Sequence, residues 1–248
     1  MFSDKFKARL LGLALVGAVM SVPGAAAAGV VVKSSGPSAG TYPVGKKVAD
    51  ASTITLRAGD KITVLTNGGT KVMQGPGTFR VGEGATRTRA RFARLTRQGA
   101  SNRARTGAVR GSGKGSPTMP NLWLVNVAAS GTTCLYNLEN VRLWRPEADE
   151  GQTYTIAPQG SETALDVNFV ETESQRSLDP EGLKLANGST YTITGPAAGE
   201  SPGTPVNVKI VALSETYRQP DLLASALAEN GCLGQLAVLG DIAEAEAS

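Results

Sequence analysis

Apolar and polar residues alternate with period two over much of the chain. Ile54 and Leu56 alternate with Thr53 and Thr55, and Ile62 and Val64 with Lys61 and Thr63. β-Branched residues in that rhythm predict half-buried strands, and "VVVK" (Val30 to Lys33) predicts another. Asn67-Gly68-Gly69 predicts a hairpin turn, since these residues tolerate positive φ. Gly59-Asp60 and Gly75-Pro76-Gly77 mark further joints. These elements make a small β-domain over residues 29–84. A unit of that size has a marginal core and is expected to lean on another part of the protein.

The same rhythm resumes beyond Pro120. "LWLVNV" (Leu122 to Val127), "TCLYNL" (Thr133 to Leu138) and "VRLW" (Val141 to Trp144) predict strands. So do "TYTIA" (Thr153 to Ala157), "ALDVNFV" (Ala164 to Val170), "TYTIT" (Thr190 to Thr194) and "VNVKIVAL" (Val206 to Leu213). Short strands with frequent turn signals predict an antiparallel β-sandwich over residues 120–216. The period then changes. In "PDLLASALAENG" (Pro220 to Gly231), Leu222, Leu223, Ala226 and Leu227 share a helical face and Gly231 is the stop signal. "CLGQLAVLGDIAEAEA" predicts a second helix whose last turn frays, so residues 217–248 form a helical tail. The predicted class is therefore mainly β: a small N-terminal β-domain, a linker, a larger antiparallel sandwich and a short helical tail.

The linker, residues 85–119, is basic. "TRARFARLTRQ" (Thr88 to Gln98) sets Phe92 and Leu95 three apart, as in a short helix, and "GAVRGSGKGSP" has the composition of a flexible connector. From Thr86 to Ser116 there are eight arginines, one lysine and no acid. Arg87, Arg89, Arg91, Arg94, Arg97, Arg103, Arg105 and Arg110 are the candidate contacts for an anionic partner. A solvated connector is the alternative. Charge also divides the whole chain: residues 29–119 carry 16 Lys/Arg against 3 Asp/Glu, and residues 120–248 carry 6 against 17. The basic half is expected to dock on the acidic half, within one chain or between chains by self-association, or to face an anionic surface.

Residues 1–28 read as a secretory signal peptide. Lys5, Lys7 and Arg9 precede the apolar run Leu10 to Val22, and Ala25 to Ala28 offer small residues before a cut near Gly29. That run has 13 residues, short against the roughly 20 that span a bilayer; an uncleaved anchor is the alternative. No later stretch is long and apolar enough to span, so the mature chain is expected to be periplasmic or secreted. Export argues against nucleic acid as the partner of the arginines, as does the presence of Phe92 as the lone aromatic among them.

Cys134 and Cys232 are the two cysteines. In an oxidising compartment an even pair predicts a disulfide, which could stabilise the fold by up to ~4.7 kcal/mol in the chain-entropy model. Two buried thiols are the alternative. A bridge would clamp the tail beside the strand of Cys134, as a lid on the sandwich.

Candidate chemistry narrows the classes further. The chain has no histidine, which removes Ser-His-Asp and Cys-His nucleophile systems and leaves no metal site expected. "GAVRGSGKGS" is one residue out of phosphate-loop spacing, and Gly115 stands where Ser or Thr should hold magnesium. Asp149-Glu150 and Glu171/Glu173 are carboxylate pairs with no nucleophile aligned to them. Tyr136, Trp144, Tyr154 and Tyr191 could line a binding face or fill the sandwich core. No cofactor is expected.

"GPSAGTYPVGKKVADASTITLRAGDKITVLTNGGTKVMQGPGTF", "RFARL", "RARTGAVRG", "NVAASGTTCLYNLENVRLWR" and "LLASALAENGCLGQL" resemble a functionally uncharacterised family of exported Gram-negative bacterial proteins. The resemblance implies export, the cysteine pair and this order of segments, and it supplies no activity. The N-terminal part, with its "AGD" turn, is also similar to FecR-type periplasmic signalling domains, which implies envelope sensing. The expected function is non-catalytic: an exported envelope binding or scaffold protein whose basic segment contacts a protein or another anionic envelope component. A FecR-like signal relay is the alternative, followed by a hydrolase.

Overall fold

The computed structural model describes residues 27–86, Phe92, Thr96, and residues 119–178, 182–196, 203–214 and 216–247. It is mainly β, with two helices at the C-terminal end.

Six strands build the N-terminal part: β1 (Ala27–Ser35), β2 (Lys47–Ala49), β3 (Thr53–Leu56), β4 (Lys61–Thr66), β5 (Gly69–Gln74) and β6 (Gly77–Arg80). β2-β1-β4-β5 form one sheet and β3-β6 pair separately. Asn67-Gly68 is the two-residue loop of the β4–β5 hairpin, with Thr66 opposite Gly69. The unbroken valines of β1 have a physical reason, because the strand is buried on both faces. Val31 packs with Ile54, Ile62, Val64 and Met73 in one cluster. Val30 and Val32 face the other way, with Leu65, into the main core.

The second β-region has a five-stranded sheet, β11-β10-β13-β14-β8, and a three-stranded sheet, β12-β9-β7. Its strands are β7 (Leu124–Asn126), β8 (Gly131–Leu135), β9 (Arg142–Trp144), β10 (Gln152–Pro158) and β11 (Leu165–Phe169), then β12 (Gln175–Ser177), β13 (Thr190–Thr194) and β14 (Pro205–Ala212). Ile156, Ile193 and Ile210 of the larger sheet share a core with Val125 and Leu143 of the smaller. The opposite face carries cross-strand polar pairs: Thr153 with Asn168, Thr155 with Asp166 and Thr192 with Asn207. Most pairings are antiparallel, as expected. β14–β8 and β7–β9 are parallel; β8, between β7 and β9 in sequence, crosses to the larger sheet, so β9 returns beside β7 in the same direction.

The tail comprises α1 (Pro220–Glu229) and α2 (Leu233–Ala247). Pro220 opens α1 and Asp221 lies in its first turn, where a missing N–H costs nothing and a negative charge meets the helix dipole. The chain then closes α1 with a left-handed glycine, Gly231 at φ 72. Cys232 N–H donates to Leu227 C=O at 2.8 Å and Gly231 N–H to Ala228 C=O at 3.1 Å, the paired bonds of a Schellman ending. That turn delivers Cys232 to Cys134. α2 runs to Ala247.

The tail was expected to lie as a lid on the sandwich. It packs instead between the two β-regions. α2 touches β8 on one side and β1, β4 and β5 on the other, and α1 touches β1 and β4. Leu223, Leu227, Leu236 and Leu239 share one core with Val30 and Val32. The approach of α2 to β1 is close enough that a Cβ on Gly240 would stand 2.8 Å from the Val32 carbonyl oxygen.

Charge complementarity operates here within the chain. Lys33 of β1 pairs with Asp241 at 2.7 Å and Glu244 at 2.9 Å. Lys47 pairs with Glu229, and Lys61 with Glu244. Lysines of the basic half thus meet acids of the acidic half at the tail. Each exposed pair contributes about 1 kcal/mol or less, so the apolar core carries the docking and the pairs set its register.

Candidate functional site

A groove of about 810 Å³ lies between β7, β8 and the start of α2. Met119, Leu124 and Trp144 form a small apolar cluster at its floor, with Val238 of α2 packed against it. Leu233 stands on the α2 wall and is 51% exposed. Glu147 and Asp241 also line it, and no Lys or Arg does among the described residues.

Gln235 closes the inner end. Its side chain is 3% exposed, and its carboxamide joins β8 to the turn that leads into β7. Oε1 accepts from Cys134 N–H at 2.7 Å, while Nε2 donates to Cys134 C=O at 2.8 Å and to Leu122 C=O at 2.6 Å. One buried amide therefore satisfies three main-chain groups, two on the edge strand β8 and one in the turn before β7. Buried polar groups demand such pairing.

The disulfide reinforces this joint. Cys134 and Cys232 are bonded, with Cα atoms 5.9 Å apart and a sequence separation of 98. Both are fully buried. Cys232 and Gln235 lie one helical turn apart, so covalent and hydrogen-bonded links hold the same end of α2 to the same residue of β8.

A second feature concerns the basic segment. Phe92 is buried in the main core. One turn later Thr96 N–H donates to Phe92 C=O at 3.1 Å, and the Thr96 carbonyl accepts from Trp123 Nε1 at 2.9 Å. Trp123 in turn meets Tyr136 edge to face, with ring centroids 4.6 Å apart. The segment rich in arginine is thus anchored to the body at two residues. Arg87, Arg89, Arg91, Arg94, Arg97, Arg103, Arg105 and Arg110 themselves lie outside the described residues, as does most of the linker at 85–119.

Several other polar groups have structural partners. Arg145 is fully buried, donating to the carbonyls of Glu173 at 2.8 Å and Val170 at 2.9 Å and to Gln152 Oε1 at 3.2 Å. Its guanidinium also stacks over Phe169. Of the carboxylate pairs, Glu173 accepts from Val170 N–H at 3.1 Å and pairs with Arg176 at 3.3 Å, which makes it part of a turn. Tyr154 is held above its ordinary range by burial, against the opposing charge of Arg145 and with a small contribution from Glu147. Tyr191 O–H donates to Lys184 C=O and accepts from Ala186 N–H. Tyr154 and Tyr191 fill the core, Tyr136 packs beside it, and Trp144 alone of the four aromatics lines the groove.

Among the described residues no three His, Cys, Asp or Glu side chains gather as a metal site, and no helix is long and apolar enough to cross a membrane. Gln235 and Trp123, which define the joint and the anchor, were not among the expected site residues. The signal available for Gln235 was a lone amide in the apolar run "CLGQLAVLG". No known protein-family model matches this chain, and no curated protein matches it.

Proposed function

We propose that this is an exported, non-catalytic binding or scaffold protein of the cell envelope, whose arginine-bearing segment meets an anionic partner. The observation that carries the reading is the seating of Phe92 in the core together with the Trp123 bond to Thr96. A plain tether between folded parts needs no buried aromatic. A segment that must offer cations at a defined place does, because anchoring lowers the entropy lost when a partner binds. Lys33, Lys47 and Lys61 already serve the contact with the tail, and eight arginines in a run without acids are more than a connector requires.

Export is supported by the leader-like residues 1–28 and by the buried disulfide. Removal of the leader near Gly29 would retain the β1 pairings from Gly29 onward, with Val48 on one side and Thr66 on the other. The mature protein is periplasmic or secreted, and its partner is a protein or another anionic envelope component such as a lipid headgroup or polysaccharide phosphate.

The test compares the mature chain with a variant carrying glutamine at all eight arginines. Both are passed over anionic phosphatidylglycerol vesicles and over immobilised envelope extract, at low salt and at about 0.5 M salt, where the Debye length is roughly 4 Å. Retention at low salt is expected for the native sequence, with loss at high salt and in the variant. Equal retention of the two at low salt would reduce the segment to a tether.

A further inference from the structure

The groove beside Gln235 supports an inference independent of the arginines. β8 is the outermost strand of its sheet. Its odd-numbered residues direct their main-chain groups toward β14, as the bond from Leu213 N–H to Leu135 C=O shows. The even-numbered ones point the other way. Cys134 belongs to that outward set, and the Gln235 carboxamide satisfies it as a neighbouring strand would. Thr132, two residues earlier, belongs to the same set and lines the groove. Among the described residues nothing pairs with its main chain. Across the groove β7 is also outermost, and Val127 N–H goes to Trp144 C=O of β9 at 3.0 Å, which turns Leu124 and Asn126 outward.

An open strand edge is a template for another strand. Here one glutamine covers one residue of the edge, and the groove begins where that cover stops. Its surroundings narrow the occupant further. Leu124, Leu233 and Val238 offer an apolar seat, and Glu147 and Asp241 supply negative charge. Lys33 already pairs with Asp241, whereas no cation pairs with Glu147 among the described residues. A helix has no free main-chain groups to offer Thr132, a lipid tail would leave that edge unpaired, and an anion would be repelled by Glu147.

We propose that the groove takes a short extended segment of a partner protein. The segment adds to the β8 edge by main-chain hydrogen bonds at Thr132, seats one apolar side chain against Leu124, Leu233 and Val238, and sets a lysine or arginine beside Glu147. Main-chain pairing gives affinity and the alternate side chains give selectivity, as in other strand additions.

The experiment is selection of displayed random heptapeptides on the oxidised mature chain, followed by titration of the enriched synthetic peptide. The expected peptides alternate apolar and polar residues and include Lys or Arg. Thr132→Pro removes an N–H that has no partner among the described residues, at an edge where proline is tolerated, and Thr132→Val serves as the control for loss of the hydroxyl. The proline variant is expected to weaken the peptide at least tenfold while leaving the unfolding midpoint in place. Glu147→Lys, an exposed change, is expected to weaken basic peptides and does not depend on how Thr132→Pro folds. Peptide-induced amide shifts are expected at residues 124–133. Failure to enrich any peptide, an acidic or helical consensus, or equal affinity for the native and Glu147→Lys chains would overturn the proposal.

Discussion

The side-chain amide of Gln235 lies against the main chain of Cys134 as a strand would, accepting its N–H at 2.7 Å and donating to its C=O at 2.8 Å. The third bond, to Leu122 C=O at 2.6 Å, extends the joint to the turn that leads into β7. Gln235→Leu keeps the bulk and removes all three bonds, leaving buried main-chain groups unpaired. Each such group costs about 1–3 kcal/mol, and relaxation recovers part of it, so the expected loss is roughly 3 kcal/mol by urea unfolding. A loss below about 1 kcal/mol, the worth of a single ordinary hydrogen bond, would mean that the amide is incidental.

Gly240 sets two effects against each other. Alanine in mid-helix ordinarily gains up to ~1 kcal/mol over glycine. Here its Cβ would lie 2.8 Å from the Val32 carbonyl oxygen and 3.1 Å from the carbonyl carbon. Those are main-chain atoms of a buried strand, and they cannot swing aside. Gly240→Ala is therefore expected to lower the thermal midpoint and to speed amide exchange in β1. A raised midpoint would place α2 farther from β1 than described.

The disulfide is the one covalent link between α2's start and β8, joining residues 98 positions apart in sequence. Replacing Cys134 and Cys232 together by serine is expected to lower stability by about 2–5 kcal/mol. Because α2 bridges both β-regions, the loss should appear in probes of β1 as well as of β8. Measuring exchange at both strands checks this, and an effect confined to β8 would contradict the bridging role.

Asp60 is expected to contribute to the acid sensitivity of the N-terminal part. Burial works against its ionisation. Even so, the Ser38 hydroxyl and N–H, the Arg57 N–H and the Arg57 charge hold its carboxyl below the ordinary range. A depressed folded-state value means that the stabilisation is fully present above the unfolded pKa of about 3.9 and is lost as pH falls through the folded value beneath it. Asp60→Asn is expected to flatten the thermal midpoint against pH below about 4. An unchanged acid limb would remove Asp60 from that role.

Much of the fold was legible because it is local. Period two in Thr53–Leu56 and Lys61–Val64, the Asn67-Gly68 turn and the Gly231 stop are each decided by a few neighbouring residues. Three-residue β2 and β12 show too little pattern to be recognised, and Lys47 and Arg176 give no apolar rhythm. The parallel placement of β8 beside β14 joins residues far apart in sequence, which no local period encodes. The tail's position between the two β-regions depends on Gly240 meeting Val32 and on Val30–Val32 having two apolar surroundings. The triple valine was the visible sign of that, and it was read as an ordinary strand. Gln235 escaped notice because its significance is its partners, 101 and 113 residues away.

The account's central claim is an exported protein matured by cleavage and oxidation, and intact mass of the native protein from fractionated cells tests it most directly. The predicted result is a chain beginning near Gly29, found in the periplasm or medium, and lighter by two hydrogens than its reduced form. A full-length chain from Met1 in the cytosol with two free thiols would contradict it.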